Sequence, residues 1–284
     1  MMREAAIRAA FVAACADELV APKPGNVHVH ADGHGMTVAD FIRSAEAAAP
    51  ELCRRGASLG QRILGAVVAT RAAVGQNTNL GIVLLAAPLV MAGERPGRDL
   101  QAALRRVLNE ADLADTEAVF DAIRHAAPAG LGHAPRHDVR GPADVTLTAA
   151  MADAADRDSV ARQWTTGFAD VFGPGMQAYV GARARWPDPA WAPLGAYLWF
   201  LAAFPDSHIL RKHGPAAAER ARQYAVMVRQ RLLAESDPSA ALPELLEWDR
   251  ALKAAGINPG TSADLTVATI LAYRLQRGAG RTGE

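Results

Sequence analysis

From Leu80 to Met91 the chain reads Leu-Gly-Ile-Val-Leu-Leu-Ala-Ala-Pro-Leu-Val-Met, a run that would be apolar on every side of a helix. Even extended to Ala92, it falls short of the ~20 residues that a membrane span needs. A helix of this kind is stable only when other elements surround it, so it belongs at the centre of a bundle. Suitable neighbours are abundant: alanine, leucine and arginine dominate, and alternating β-branched runs are nearly absent. The expected fold is all-α, a single large multi-helix bundle over residues 1–277 with a flexible tail at 278–284.

Helical patterns are expected at 2–20, from Thr37 to Pro50, at 58–74, at 80–91 and, more weakly, at 98–109 and 115–126. Others follow at 144–155, 158–172, 174–185, 191–204, 215–235, 242–255 and 261–277. Thr37 with Asp40 suggests a short capping box, Gly75 a stop, and Asp115 an opening residue. Two long loops interrupt the pattern. Residues 21–36 carry His28, His30 and His34, and residues 127–143 are rich in glycine and proline, as a hinge, lid or surface excursion would be.

Charge and cysteine content narrow the function. Thirty basic residues balance thirty acidic ones in 284, with no long basic run, so a nucleic-acid or membrane-surface partner is poorly supported. A small, locally compensated ligand suits this balance better. Cys15 and Cys53 form no C-x-x-C pair, and the apolar N-terminus is punctuated by Glu4, Asp17 and Glu18, so a cytoplasmic protein without a leader is expected. Apolar surfaces on several helices leave a homodimer open.

Three polar stretches break this alanine-rich background: Pro22-Lys-Pro-Gly-Asn26, Gln76-Asn-Thr-Asn-Leu-Gly81 and Asn258-Pro-Gly-Thr-Ser-Ala-Asp264. The last opens the final helix, where unpaired N–H groups and the helix dipole favour an anion. In the first, Lys23 brings a cation on a proline-restricted loop and Gly25 permits close approach; helix termination by a solvated lysine is the plain alternative. The amides and hydroxyl of the second suit sugar or phosphate oxygens, or simply cap the apolar helix. Asp206, Ser207 and His208 form a further polar start. Asp206 and Asp264 would share an anionic ligand mainly with a divalent cation between them. The histidines at 28, 30 and 34 have a spacing that a metal can use, against ordinary loop hydrogen bonds.

Pro22-Lys-Pro-Gly25, Asn77-Thr78, Asp206-Ser-His208 and Pro259-Gly-Thr-Ser-Ala-Asp-Leu265, in that order, resemble the triphosphoribosyl-dephospho-CoA synthase family over almost the whole chain. The resemblance implies an all-helical transferase of cofactor biosynthesis. Such enzymes move the triphosphoribosyl unit of ATP to the ribose 2′-hydroxyl of 3′-dephospho-CoA and expel adenine. It further implies that Lys23, Gly25, Asn26, Asn77, Thr78, Asn79, Gly81, His208, Gly260, Thr261 and Ser262 line the nucleotide site. Asp206 or Asp264 would take the acceptor's proton or hold Mg²⁺ on the triphosphate.

The chain also departs from that family. Its central turn, Asn77-Thr-Asn-Leu-Gly81, lacks a histidine and a basic residue, and no acidic residue lies between Glu51 and Glu94. This resembles a branch found in archaea and methylotrophs. The alternatives are ribosyl transfer from ATP or phosphoribosyl pyrophosphate to another acceptor, as in synthesis of a tetrahydromethanopterin-type carrier, and a non-catalytic nucleotide-binding protein. A metal-dependent hydrolase is a more distant reading.

Overall fold

The computed structural model describes residues 2–280. Among them thirteen α-helices and no strand are found: α1 (Glu4–Val20), α2 (Val38–Leu52), α3 (Leu59–Val74), α4 (Leu80–Gly93), α5 (Leu100–Glu110), α6 (Leu113–Ala126), α7 (Leu147–Ala152), α8 (Ser159–Thr166), α9 (Met176–Arg185), α10 (Ala192–Ala203), α11 (Ser207–Ala234), α12 (Leu242–Ala254) and α13 (Gly260–Gly280). The fold is all-α, as the composition requires.

The apolar segment becomes α4, and ten of its fourteen residues are buried, which puts it inside the bundle. It packs against α13, α5, α3 and α2. Each fully buried Leu, Ile or Val contributes about 1.5–3 kcal/mol relative to exposure. The second central element is α13, which lies against α1, α4 and α10. It carries two fully buried threonines, and their hydroxyls donate back to the carbonyls of Ser262 (Thr266, 2.8 Å) and Leu265 (Thr269, 2.9 Å). That local bonding lets a hydroxyl sit in the core without a free donor.

Several helix ends follow their side chains. Thr37 and Asp40 form a reciprocal capping box, as do Ser58 and Gln61, and Gly75 ends α3 in the left-handed region at φ 76°. Asp115 does not open α6. Asp112 is the cap, and Asp115 completes the box while accepting from Ser58 Oγ (2.5 Å) and Gly60 N (2.7 Å). An aspartate that caps its own helix and one that ties down a neighbouring helix are the same letter in sequence, and only the packing of α3 on α6 separates them.

The expected helix over 158–172 is broken. Gly167 (φ 64°) and Phe168 (φ 60°) are left-handed, which turns Phe168 into the core, and a wide turn over 171–175 follows around Pro174. The expected 144–155 helix shrinks to α7. Conversely α11 begins earlier than the expected 215, because Asp206 caps it, and Gly214 (φ 78°, ψ 175°) bends it just before that point. Gly278 to Gly280 continue α13 rather than fraying. The rest of the expected tail lies outside the described residues.

Candidate active site

The N-terminal ends of α4, α11 and α13 and the C-terminal end of α1 face one cavity of about 780 Å³. That is within the usual ~300–1,000 Å³ of small-molecule sites. Asn26, Asn77, Thr78, Asn79, Gly81, His208, Gly260, Thr261 and Asp264 line it. Residues from all three polar stretches, Asn26 alone from the first, thus line one cavity. Lys23, Gly25, Asp206 and Ser262 are not part of the lining.

Lys23 is a correction to the reading of a phosphate-binding cation. It is fully buried beneath the cavity, ion-paired with Glu18 and donating to Asn26 Oδ1 at 2.9 Å. Burial pulls its ammonium pKa down and pushes that of Glu18 up, and the bond between them opposes both. Gly25 serves packing rather than a ligand. At φ 83°, an added Cβ would sit 2.7 Å from Pro259 Cδ and 2.9 Å from Leu252 Cδ1. Its N–H donates to Asp249 Oδ1 (2.8 Å) and its carbonyl meets His34 Nε2 (2.8 Å), while the Tyr197 hydroxyl donates to the Pro24 carbonyl (2.6 Å).

Asp206 is the other correction. Its Oδ1 accepts from the backbone of His208 (2.9 Å) and Ile209 (3.2 Å), and its Oδ2 from the N–H and hydroxyl of Ser262, both at 2.8 Å. Four donors occupy a buried carboxylate, which leaves it no role as a base and no fit to Mg²⁺. It is a helix cap that also fastens α11 to α13.

The Asn77 turn combines fastening with lining. Asn77 Oδ1 accepts from Leu80 N (3.1 Å), Thr78 and Ser44 share a hydroxyl bond of 2.6 Å, and Asn79 Nδ2 donates to Thr70 Oγ1 (3.1 Å). Opposite this turn stands Asp264. Of the carboxylates lining the cavity it alone has no hydrogen-bond or ion-pair partner among the described residues. Burial, then the charges of Asp206 and Glu18, hold its pKa well above the ordinary carboxylate range. Gly81 makes room for it: a Cβ there would lie 2.1 Å from Asp264 Oδ2.

His208 lines the cavity as a neutral ring. Burial and the nearby Arg211 and Lys212 lower its pKa to about 4, and Nε2 has no partner among the described residues. His28 sits 3.4 Å from Asp249 Oδ1, and His34 bonds to Gly25. Among the described residues no cluster of three or more potential metal ligands is present; His28 Nδ1 accepts from the His30 N–H (3.3 Å), and His28 Nε2 has no hydrogen-bond partner among them.

Several lining residues went unread in the sequence. Glu18 sits on the stripe Ile7, Phe11, Ala14, Glu18, and a carboxylate at the end of an apolar stripe was the available signal. Arg71, Arg157, Arg211 and Lys212 supply the basic character missing from the Asn77 turn, and residues of the 127–143 loop form one wall. These cations are scattered along the chain from Arg71 to Lys212, so no local motif reveals them.

A helical bundle whose helix entrances, amides and scattered cations converge on a cavity of this size is a small-molecule enzyme suited to a phosphorylated substrate. The chain belongs to the CitG family, the ATP:dephospho-CoA triphosphoribosyl transferases, whose family model matches residues 4–283. A crystal structure from Archaeoglobus fulgidus, provisionally described as a triphosphoribosyl-dephospho-CoA synthase, is similar to it at TM-score 0.65 and 25% identity, covering 81% of this chain and 96% of that one. No curated protein sequence matches significantly. No helix among the described residues is long and apolar enough to cross a membrane.

Proposed function

We propose that this chain transfers the triphosphoribosyl unit of ATP to the 2′-hydroxyl of 3′-dephospho-CoA and releases adenine. The observation that carries the site assignment is Asp264, a carboxylate without a partner among the described residues that faces the cavity between the entrances of α4 and α13. In the reaction the bond between the ribose C1′ and adenine breaks with its electrons leaving on adenine, which takes up a proton. The acceptor oxygen bonds to C1′ and gives its proton to Asp264. A carboxylate with raised proton affinity is a stronger base for this step. It also favours the cation-like sugar formed as the bond to adenine breaks.

Arg71, Arg157, Arg211 and Lys212 offer the charge that polyphosphates require, with the α13 entrance adding the N–H group of Thr261. Asp264 also fits Mg²⁺ as a single protein ligand, and the ion would neutralise triphosphate charge when bound. Two buried, unbridged thiols support a reducing, cytoplasmic setting.

Incubation with ATP and dephospho-CoA, read by mass spectrometry for the ribosylated product and for free adenine, tests the proposal. The Asn77 turn without its own cation supports running a one-carbon-carrier precursor and phosphoribosyl pyrophosphate in parallel. Product from those alone would replace the acceptor or donor named here.

A further inference from the structure

The buried Lys23 fixes the chemistry of the cavity floor at one remove. An ammonium has only donors to offer, so the Asn26 side chain must turn its oxygen toward Lys23 (2.9 Å). Its amide N–H then points at Asn258, where it must meet an oxygen, and it does so at 2.9 Å. The Asn258 amide is thereby oriented in turn. Its Nδ2 is left without a partner among the described residues, on a side chain that is 6% exposed and lines the cavity. Glu18 is placed likewise: Oε1 is held by Lys23, Oε2 has no partner among the described residues, and the residue is 3% exposed in the same lining.

One acceptor of negative charge and one N–H donor thus face the same cavity from buried, braced side chains. A vicinal diol matches that pair, because one hydroxyl can donate to the carboxylate while the other accepts from the amide. We infer that Glu18 and Asn258 clasp the 2′,3′-hydroxyls of the donor ribose, with Lys23 as the positioning residue behind both. This rests on the reading of ATP as donor. Holding the donor sugar against a carboxylate also suits the cation-like character that it acquires in transfer.

The test compares ATP with 3′-deoxy-ATP, which keeps the 2′-hydroxyl whose removal would alter the reactivity of the C1′ bond itself. Calorimetry gives the ratio of dissociation constants without needing turnover, and adenine release gives the ratio of kcat/KM. Wild-type protein should prefer ATP by about 10–100-fold in kcat/KM, since the missing 3′-hydroxyl strands the one buried polar group, Glu18 or Asn258, that holds it. Glu18→Gln should reduce that preference by about 10-fold or more. Asn258→Asp keeps the oxygen that Asn26 needs and puts an acidic oxygen where the free N–H donor stood, so the preference should fall in whichever variant alters the residue that holds the 3′-hydroxyl. A preference that is absent in wild type, or unchanged in both variants, overturns the inference. Discrimination in binding with no adenine release would leave the diol clasp standing and remove the transferase reading instead.

Discussion

Asp206 accepts two bonds from Ser262, a residue 56 positions further along the chain, and both are 2.8 Å long. The contact joins the starts of α11 and α13, so these two polar motifs are partners in holding the cavity open. Asp206→Ala removes a cap worth about 1 kcal/mol and strands the Ser262 donors, for a total loss of about 2–4 kcal/mol. Denaturant unfolding should show that loss, while the folded fraction keeps measurable turnover. A variant of wild-type stability with abolished kcat would put Asp206 in the chemistry.

Asp264 should behave in the opposite way. Asp264→Asn is expected to lower kcat by about 10²–10⁴-fold, the usual range for a lost general base. Its folded pKa is raised, so the folded state holds a proton that the unfolded state releases, and ionising the carboxylate costs stability as pH climbs from the ordinary carboxylate range to the raised value. The Asn variant avoids that cost. Melting curves should coincide at acid pH and separate in favour of Asp264→Asn toward alkaline pH. For wild type, kcat/KM should rise with pH along a limb displaced above the ordinary carboxylate range.

Gly81→Ala tests the packing of α4 against that carboxylate. The new methyl would meet Asp264 Oδ2 at 2.1 Å, so the carboxylate must shift. A displacement of about 1 Å at a reacting group costs on the order of 10²-fold in rate. Alanine is the better helix former by about 1 kcal/mol, so stability should change little. Wild-type kcat in Gly81→Ala would mean that Asp264 tolerates the move and is remote from the reacting atoms.

Lys23→Met should leave the buried Glu18 charge uncompensated, with a loss of about 3–5 kcal/mol. Lys23→Met combined with Glu18→Gln should recover most of it by removing both charges. Chemical unfolding of the two variants decides the matter: equal losses would show that the ion pair contributes nothing beyond packing.

The helical class and the core were legible because α4 is apolar all round and the alanine-rich pattern leaves no competing strand. Thr37 announced its helix by local chemistry that needs no tertiary partner. Asp206 and Lys23 misled for the converse reason. A cap and a catalytic carboxylate use the same residue type, and whether a lysine is wet depends on where Glu18 lands. Gly167 was passed over because the break it makes serves the burial of Phe168, a tertiary demand. The arginine and lysine wall was beyond reach, since Arg71, Arg157 and Arg211 come together only through helix packing.

Gly25 rests on Pro259, and the cavity floor draws Glu18 and Asn26 from one end of the chain and Asn258 and Asp264 from the other. A ribosome making this protein therefore emits the Asn26 half of the floor 232 residues ahead of the Asn258 half. Until α13 emerges, the side of the cavity made by Gly260, Thr261 and Asp264 is missing and no ribose-sized hollow exists. Nascent chains that lack α13 should be blind to nucleotide, and competence should arrive in a single step when it docks.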